Sequence, residues 1–88
     1  MSVEYKVRNY ILENYLFTEE QSELNNDDSF LEKGIIDSTG ILEIIFFLEE
    51  EFDISVGDEE IIPENLDSVN NIVKFLSTKS ASQTYEKR

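Results

Sequence analysis

Ser38 sits in the run Gly34-Ile-Ile-Asp-Ser-Thr-Gly-Ile-Leu-Glu-Ile-Ile-Phe-Phe-Leu-Glu-Glu-Glu-Phe52, directly after Asp37 and just ahead of a long amphipathic stretch. A serine hydroxyl becomes a nucleophile when a base, usually histidine, takes its proton and a third group orients that base. This chain has no histidine and no cysteine, and no lysine lies close to Ser38 in sequence. The usual base is missing, which argues against nucleophilic catalysis by this chain. The remaining roles for Asp37 and Ser38 are to cap a helix, since both are favoured capping residues, or to hold a hydroxyl out for another molecule.

The acidic residues suggest other chemistry, and it can be tested on spacing. Hydrolysis by paired carboxylates needs two acids across a substrate cleft, and 88 residues leave little room for one. Counting Asp53 as the first position of a calcium loop puts Ser55 third and Glu64 twelfth. The glycine required at position six is instead Asp58, with Gly57 one place early, and position nine is the apolar Ile61. The match fails. Gly34, Gly40 and Gly57 fit neither a phosphate-binding loop nor a dinucleotide fingerprint. Without cysteine there can be no disulfide, iron–sulfur cluster or thiolate zinc site.

A chain of this length forms one domain and buries only about 60% of its unfolded surface. Its apolar content, 40% with 11% aromatic, is enough for a folded core. No apolar run is long enough to span a membrane and no signal-peptide pattern opens the sequence, so a cytoplasmic location is expected. Twenty acids against seven bases give a net charge of −13. Eleven of the acids fall between Lys33 and Lys74, an interval with no base. Such a surface repels nucleic acid and anionic membranes and attracts proteins with basic patches.

The elements that must position Ser38 are helical, since hairpin turns and sustained alternation are missing. Val3, Val7, Tyr10 and Ile11 predict a first helix to about Phe17, capped by Ser2. A second begins at Asp37–Ser38 and runs to about Phe52, with Ile41, Ile44, Ile45, Leu48 and Phe52 as its core stripe. Leu42, Phe46 and Phe47 do not all fit that stripe, so the helix is expected to offer an apolar patch outward. A short helical piece over Asp58 to Ile62 is expected to end at Pro63. Ser68 should cap a last helix to about Leu76, with Val69, Ile72, Val73 and Leu76 facing the core and Phe75 flanking. Thr18 to Ile36 is left as a long connection, pinned in part by Phe30, Leu31, Ile35 and Ile36.

The segment from Phe30 to Leu76 resembles the acyl carrier proteins of the phosphopantetheine-dependent type, with Val3 to Phe17 as their first helix. The resemblance rests on Gly-x-x-Asp-Ser followed by an apolar helix ending in Leu-Glu-Glu-Glu-Phe, on the later helix cap, and on the lack of catalytic residues. It implies an all-α four-helix bundle of three longer helices and one short, with a long first loop. Residues 1–77 would be a single carrier domain and residues 78–88 a mobile tail. It also implies a non-catalytic role as the substrate of a phosphopantetheinyl transferase. That enzyme would attach 4′-phosphopantetheine to Ser38, preceded by the matching Asp37, and the arm would carry an acyl or aminoacyl group as a thioester. A phosphodiester on Ser38 would gain roughly 0.3–1 kcal/mol from the helix N-terminus.

On this reading Leu42 and Phe46 form the apolar centre of a docking face, with Glu43, Glu49 and Glu50 meeting basic patches of partners. Glu51 and Asp53 read as solvated charges. Carriers of fatty-acid synthesis usually follow the serine with leucine and an acid, whereas here Thr39 and Gly40 follow. The pattern is closer to D-alanyl and stand-alone carriers, served by an AMP-forming acyl or aminoacyl ligase or a synthase in specialised metabolism, and a monomer is expected. Gly40 lowers helix propensity by up to about 1 kcal/mol and points to a close approach or local flexibility at that turn. The alternative is an acidic helical adaptor of the same fold that binds proteins and carries no prosthetic group.

Overall fold

The computed structural model describes the backbone of residues 3–86 and the side chains through Lys79. Among these residues there are four α-helices and no strand: α1 (Val3–Ile11), α2 (Ser38–Phe52), α3 (Pro63–Leu66) and α4 (Val69–Glu86). The all-α expectation of three longer helices and one short therefore holds. Ser2, the expected cap of α1, lies outside the described residues.

The first helix does not stay α-helical to its end. After Ile11 the chain widens into a π-type turn over Leu12–Leu16, and Phe17 closes it with φ 56° and ψ 44°, donating its N–H to Leu12 O. A left-handed conformation places Cβ against the following carbonyl and costs a bulky residue roughly 1–2 kcal/mol. Asp53 closes α2 with the same φ of 56°, but aspartate tolerates this region and phenylalanine does not.

The core is built by every element. Val7 and Ile11 of α1, with Leu12 beyond it, meet Ile44, Ile45 and Leu48 of α2, Leu66 of α3, and Val69, Ile72, Phe75 and Leu76 of α4. Two assignments in α4 exchange places: Phe75 is buried and Val73 only half-buried. In α2, Ile41 and Phe52 sit half-buried at the ends of the stripe. Ser68 is a buried cap, its Oγ accepting from the Asn71 N–H at 3.1 Å. That helix continues to Glu86, ten residues past its expected end at Leu76. The backbone of the expected tail is thus helical through Glu86, while its side chains beyond Lys79 and all of residues 87–88 lie outside the described residues.

Pro63 also behaves differently from expectation. It starts a helix and does not end one: Asp58–Glu60 form a separate 3₁₀ turn, and Pro63 occupies the first turn of α3. A proline there loses nothing, because the first N–H groups of a helix have no internal acceptor and its fixed φ already suits the helix.

The long first connection is ordered by specific contacts. Phe30 is completely buried, and its N–H donates to Asp67 O at 2.8 Å. The Asp67 carboxylate accepts from the Ser29 hydroxyl and from the Leu31 N–H. Further back, Asn70 donates its N–H to Asn26 O at 3.0 Å and its amide to Asp27. Arg8 holds the start of the same loop through Gln21 and Asn26. Leu24 and Ile36 complete the anchoring by filling core positions.

Gly40 lies buried in the first turn of α2, where a Cβ would come within 2.4 Å of Ile36 Cγ2 and 3.4 Å of Tyr15 Cε1. Of the two readings left open for this glycine, the close approach is the one observed. Ile36 is itself buried and β-branched, so it has little freedom to yield. Gly40→Ala should therefore lower stability by about 1–3 kcal/mol through overpacking, although alanine favours helix. Urea denaturation of the two proteins checks this, and a more stable variant would contradict the packing.

Candidate functional site

Asp37 fixes where α2 begins. Its backbone is extended, and its carboxylate accepts the Gly40 N–H at 2.9 Å. Ile41 N–H then donates to Asp37 O at 3.1 Å, the first bond of the regular helix. Capping by Asp37 leaves the N–H groups of Ser38 and Thr39 without intrahelical acceptors, at the positive end of the helix dipole. Ser38, Asp37 and Thr39 are all exposed. The hydroxyl is open to solvent at the leading end of the helix.

Ser38 also borders an apolar groove of about 230 Å³. Leu31 of the first connection, Ile41 and Leu42 of α2, and Ile61, Ile62, Pro63 and Leu66 of the α2–α3 region line the rest. Sequence reasoning did not identify this wall. The available signal is the Ile61-Ile62-Pro63 step inside an otherwise acidic stretch. Glu60 holds the wall in place: its carboxylate accepts the Gly57 N–H at 2.8 Å and pairs with Lys79 at 2.9 Å, and its carbonyl accepts from Asn65.

The proposed docking residues divide into two groups. Leu42 and Phe46 are exposed, at 53% and 69%, one turn apart on α2. Glu50 is exposed and, among the described residues, makes no recorded pairing. Glu43 is exposed as well, yet its carboxylate accepts from the Tyr15 hydroxyl at 2.5 Å. Glu49 is half-buried, with its carboxylate accepting the Val56 N–H at 2.9 Å, so it secures the turn that follows α2. Glu51 is not simply solvated, since it pairs with Lys6 of α1 at 3.1 Å. Asp53 is exposed and serves as the left-handed cap of α2.

Phe47, about 100° round the helix from Phe46, turns towards α1. Its ring stacks on Tyr10 with centroids 4.1 Å apart and meets Phe52 edge-on at 6.1 Å. It therefore fastens α2 to α1 and does not line the groove beside Ser38. Tyr15 completes that fastening, and its burial, followed by the bond to Glu43, pushes its hydroxyl pKa well above the ordinary tyrosine range. It stays a neutral donor throughout the physiological range.

No helix of the described residues is long and apolar enough to cross a membrane. They also hold no group of three or more acidic, histidine or cysteine side chains arranged to bind a metal.

No family model matches the chain. Individual proteins do. The acyl carrier protein of Buchnera aphidicola subsp. Acyrthosiphon pisum (strain 5A) is 33% identical over 79 residues, spanning 90% of this chain and 94% of that protein. The acyl carrier protein of Exiguobacterium sibiricum is 35% identical over 60 residues, or 68% of this chain and 73% of its own. That of Clostridium acetobutylicum is 40% identical over 55 residues, or 62% and 69% respectively.

The groove wall has a pH signature. The Gly57 N–H, and next the Lys79 ammonium, hold the Glu60 carboxyl below its ordinary value of 4.5. A lowered folded pKa stabilises the fold fully above that ordinary value, and the gain disappears as pH falls through the folded pKa. The stability difference between wild type and Glu60→Gln should thus be constant above about pH 5 and shrink towards zero in stronger acid. Urea titrations of both proteins from pH 7 to pH 3 measure it, and a gap that widens on acidification would contradict the assignment.

Proposed function

The chain belongs to the acyl carrier protein family, and from that premise we propose that it carries acyl or aminoacyl groups on 4′-phosphopantetheine attached to Ser38. The observation that carries this reading is the placement of Ser38: exposed, at the N-terminus of a capped helix, beside an apolar groove. The prosthetic group supplies a thiol on a long arm, where cargo is held as a thioester. This chain supplies the attachment point and its surroundings. The Ser38 oxygen would bond to the phosphorus that bears pantetheine in coenzyme A as the diphosphate P–O bond breaks; adenosine 3′,5′-bisphosphate would leave and the hydroxyl proton would pass to a base on the transferase.

Each nearby residue has a part in that arrangement. Asp37 holds the first turn in shape through the Gly40 N–H, so the hydroxyl is presented from a rigid element. The N–H groups of Ser38 and Thr39, at the positive end of the helix dipole, would favour the negative charge of a phosphodiester there. The groove walls, with Leu31 on one side and Ile61, Ile62 and Pro63 on the other, offer apolar surface to the arm or to a short cargo. Leu42 and Phe46 would form the apolar centre of the partner contact, flanked by Glu43 and Glu50. Glu49 contributes through its hold on the turn after α2.

The partners on this reading are a phosphopantetheinyl transferase and an AMP-forming ligase or a synthase of specialised metabolism, with the carrier acting as a cytoplasmic monomer. Gly40 supports the specialised assignment. The Ile36 contact leaves no space for a side chain there, so an acid that partners could read at that position is sterically barred.

Incubation with a phosphopantetheinyl transferase, coenzyme A and magnesium should add one arm, seen by intact mass. Ser38→Ala should abolish the gain with an unchanged circular dichroism spectrum. A folded wild-type protein that gains no mass would refute the carrier function.

A further inference from the structure

Phe17 is 82% exposed and held at φ 56°, ψ 44°, so an apolar ring stands in water on a backbone that disfavours it. Glycine or asparagine would close the π-type turn without that strain and without exposing a ring. The fold gains nothing visible from phenylalanine here, which directs attention outward.

The position relative to Ser38 is informative. Tyr15, two residues before Phe17, donates to Glu43 and lies 3.4 Å from where a Gly40 Cβ would be. Gly40 is two residues after Ser38. The end of the first helix and the start of α2 therefore share one end of the bundle. A protein contact of ordinary size, about 800 Å² a side, is large enough to take in one end of a small bundle.

The charge around Phe17 selects the visitor. Glu13, Glu19 and Glu20 are all exposed, and there is no base between Arg8 and Lys33. A second copy of this chain, at −13, would be repelled, as would nucleic acid or an anionic membrane. The complement is a basic protein surface with an apolar pocket of aromatic size, the arrangement in which exposed aromatics anchor interfaces.

We propose that Phe17 is a second docking anchor, outside α2, for the transferase that modifies Ser38, received in an apolar pocket rimmed by lysine or arginine. This rests on the carrier reading above.

The test uses the full chain with the phosphopantetheinyl transferase encoded in the same genome, following arm addition by intact mass at several carrier concentrations. Phe17→Asn should keep or raise the melting temperature and increase KM at least tenfold, with kcat within twofold of wild type. Phe17→Trp should restore KM to within twofold. A KM within twofold of wild type for folded Phe17→Asn would overturn the anchor while leaving the carrier function standing, as would a fall in kcat alone. Failure of wild type and variant alike to gain an arm would overturn both. If Phe17→Asn does not fold, Phe17→Gly takes its place under the same criteria.

Discussion

The seating of Phe30 over the junction of α3 and α4 is the contact on which the surface around Ser38 depends. The ring fills the core, and its N–H and the neighbouring Ser29 and Leu31 groups all end on Asp67. These bonds supply acceptors for backbone that would otherwise go unpaired in a loop of this length. They also fix the chain entering α2. With Phe30 in place, Ile35 and Ile36 both donate to Phe30 O, Ile36 drops into the core, and Asp37 turns outward to cap the helix. One side of the groove beside Ser38, Leu31, comes from the same loop. The serine is exposed because its neighbours are held.

Acidity shapes the molecule without holding it together. An exposed ion pair such as Lys6–Glu51 contributes little by itself. Acids at the joints do more. Asp37 caps α2, Glu49 holds the turn after it, Glu60 holds the groove wall, and Asp67 holds the long loop. The remaining negative charge lies on a surface that also exposes Leu42 and Phe46. Apolar groups ringed by charge of one sign suit contacts that form quickly, discriminate by charge and release. On the proposed reading, a carrier that meets its enzymes in turn needs contacts of that kind.

On the proposed reading, the chemistry is divided between the chain and its partners. A chain without histidine or cysteine, on that reading, gains from presenting the Ser38 hydroxyl rigidly and leaving catalysis to others. Gly40 bears on how the first turn of α2 packs: its missing side chain lets Ile36 and Tyr15 approach, and the same contact bars an acid from that position.

The helical plan, the start of α2 at Ser38, the caps Asp37 and Ser68, and the outward Leu42 and Phe46 were legible in the sequence. They follow from local rules: helical spacing, capping chemistry and an apolar face wider than a core can take. Local rules failed where a distant partner decides the outcome. Whether Pro63 ends one helix or begins another depends on how Glu60 and Asn65 tie the preceding turn. Whether Glu43, Glu49 and Glu51 stand free or are paired depends on Tyr15, the Val56 N–H and Lys6, each brought near by folding. The left-handed Phe17 and the groove wall opposite Ser38 have the same origin. Residue type and spacing determine what a segment prefers, whereas only the packed chain decides which preferences can be satisfied together.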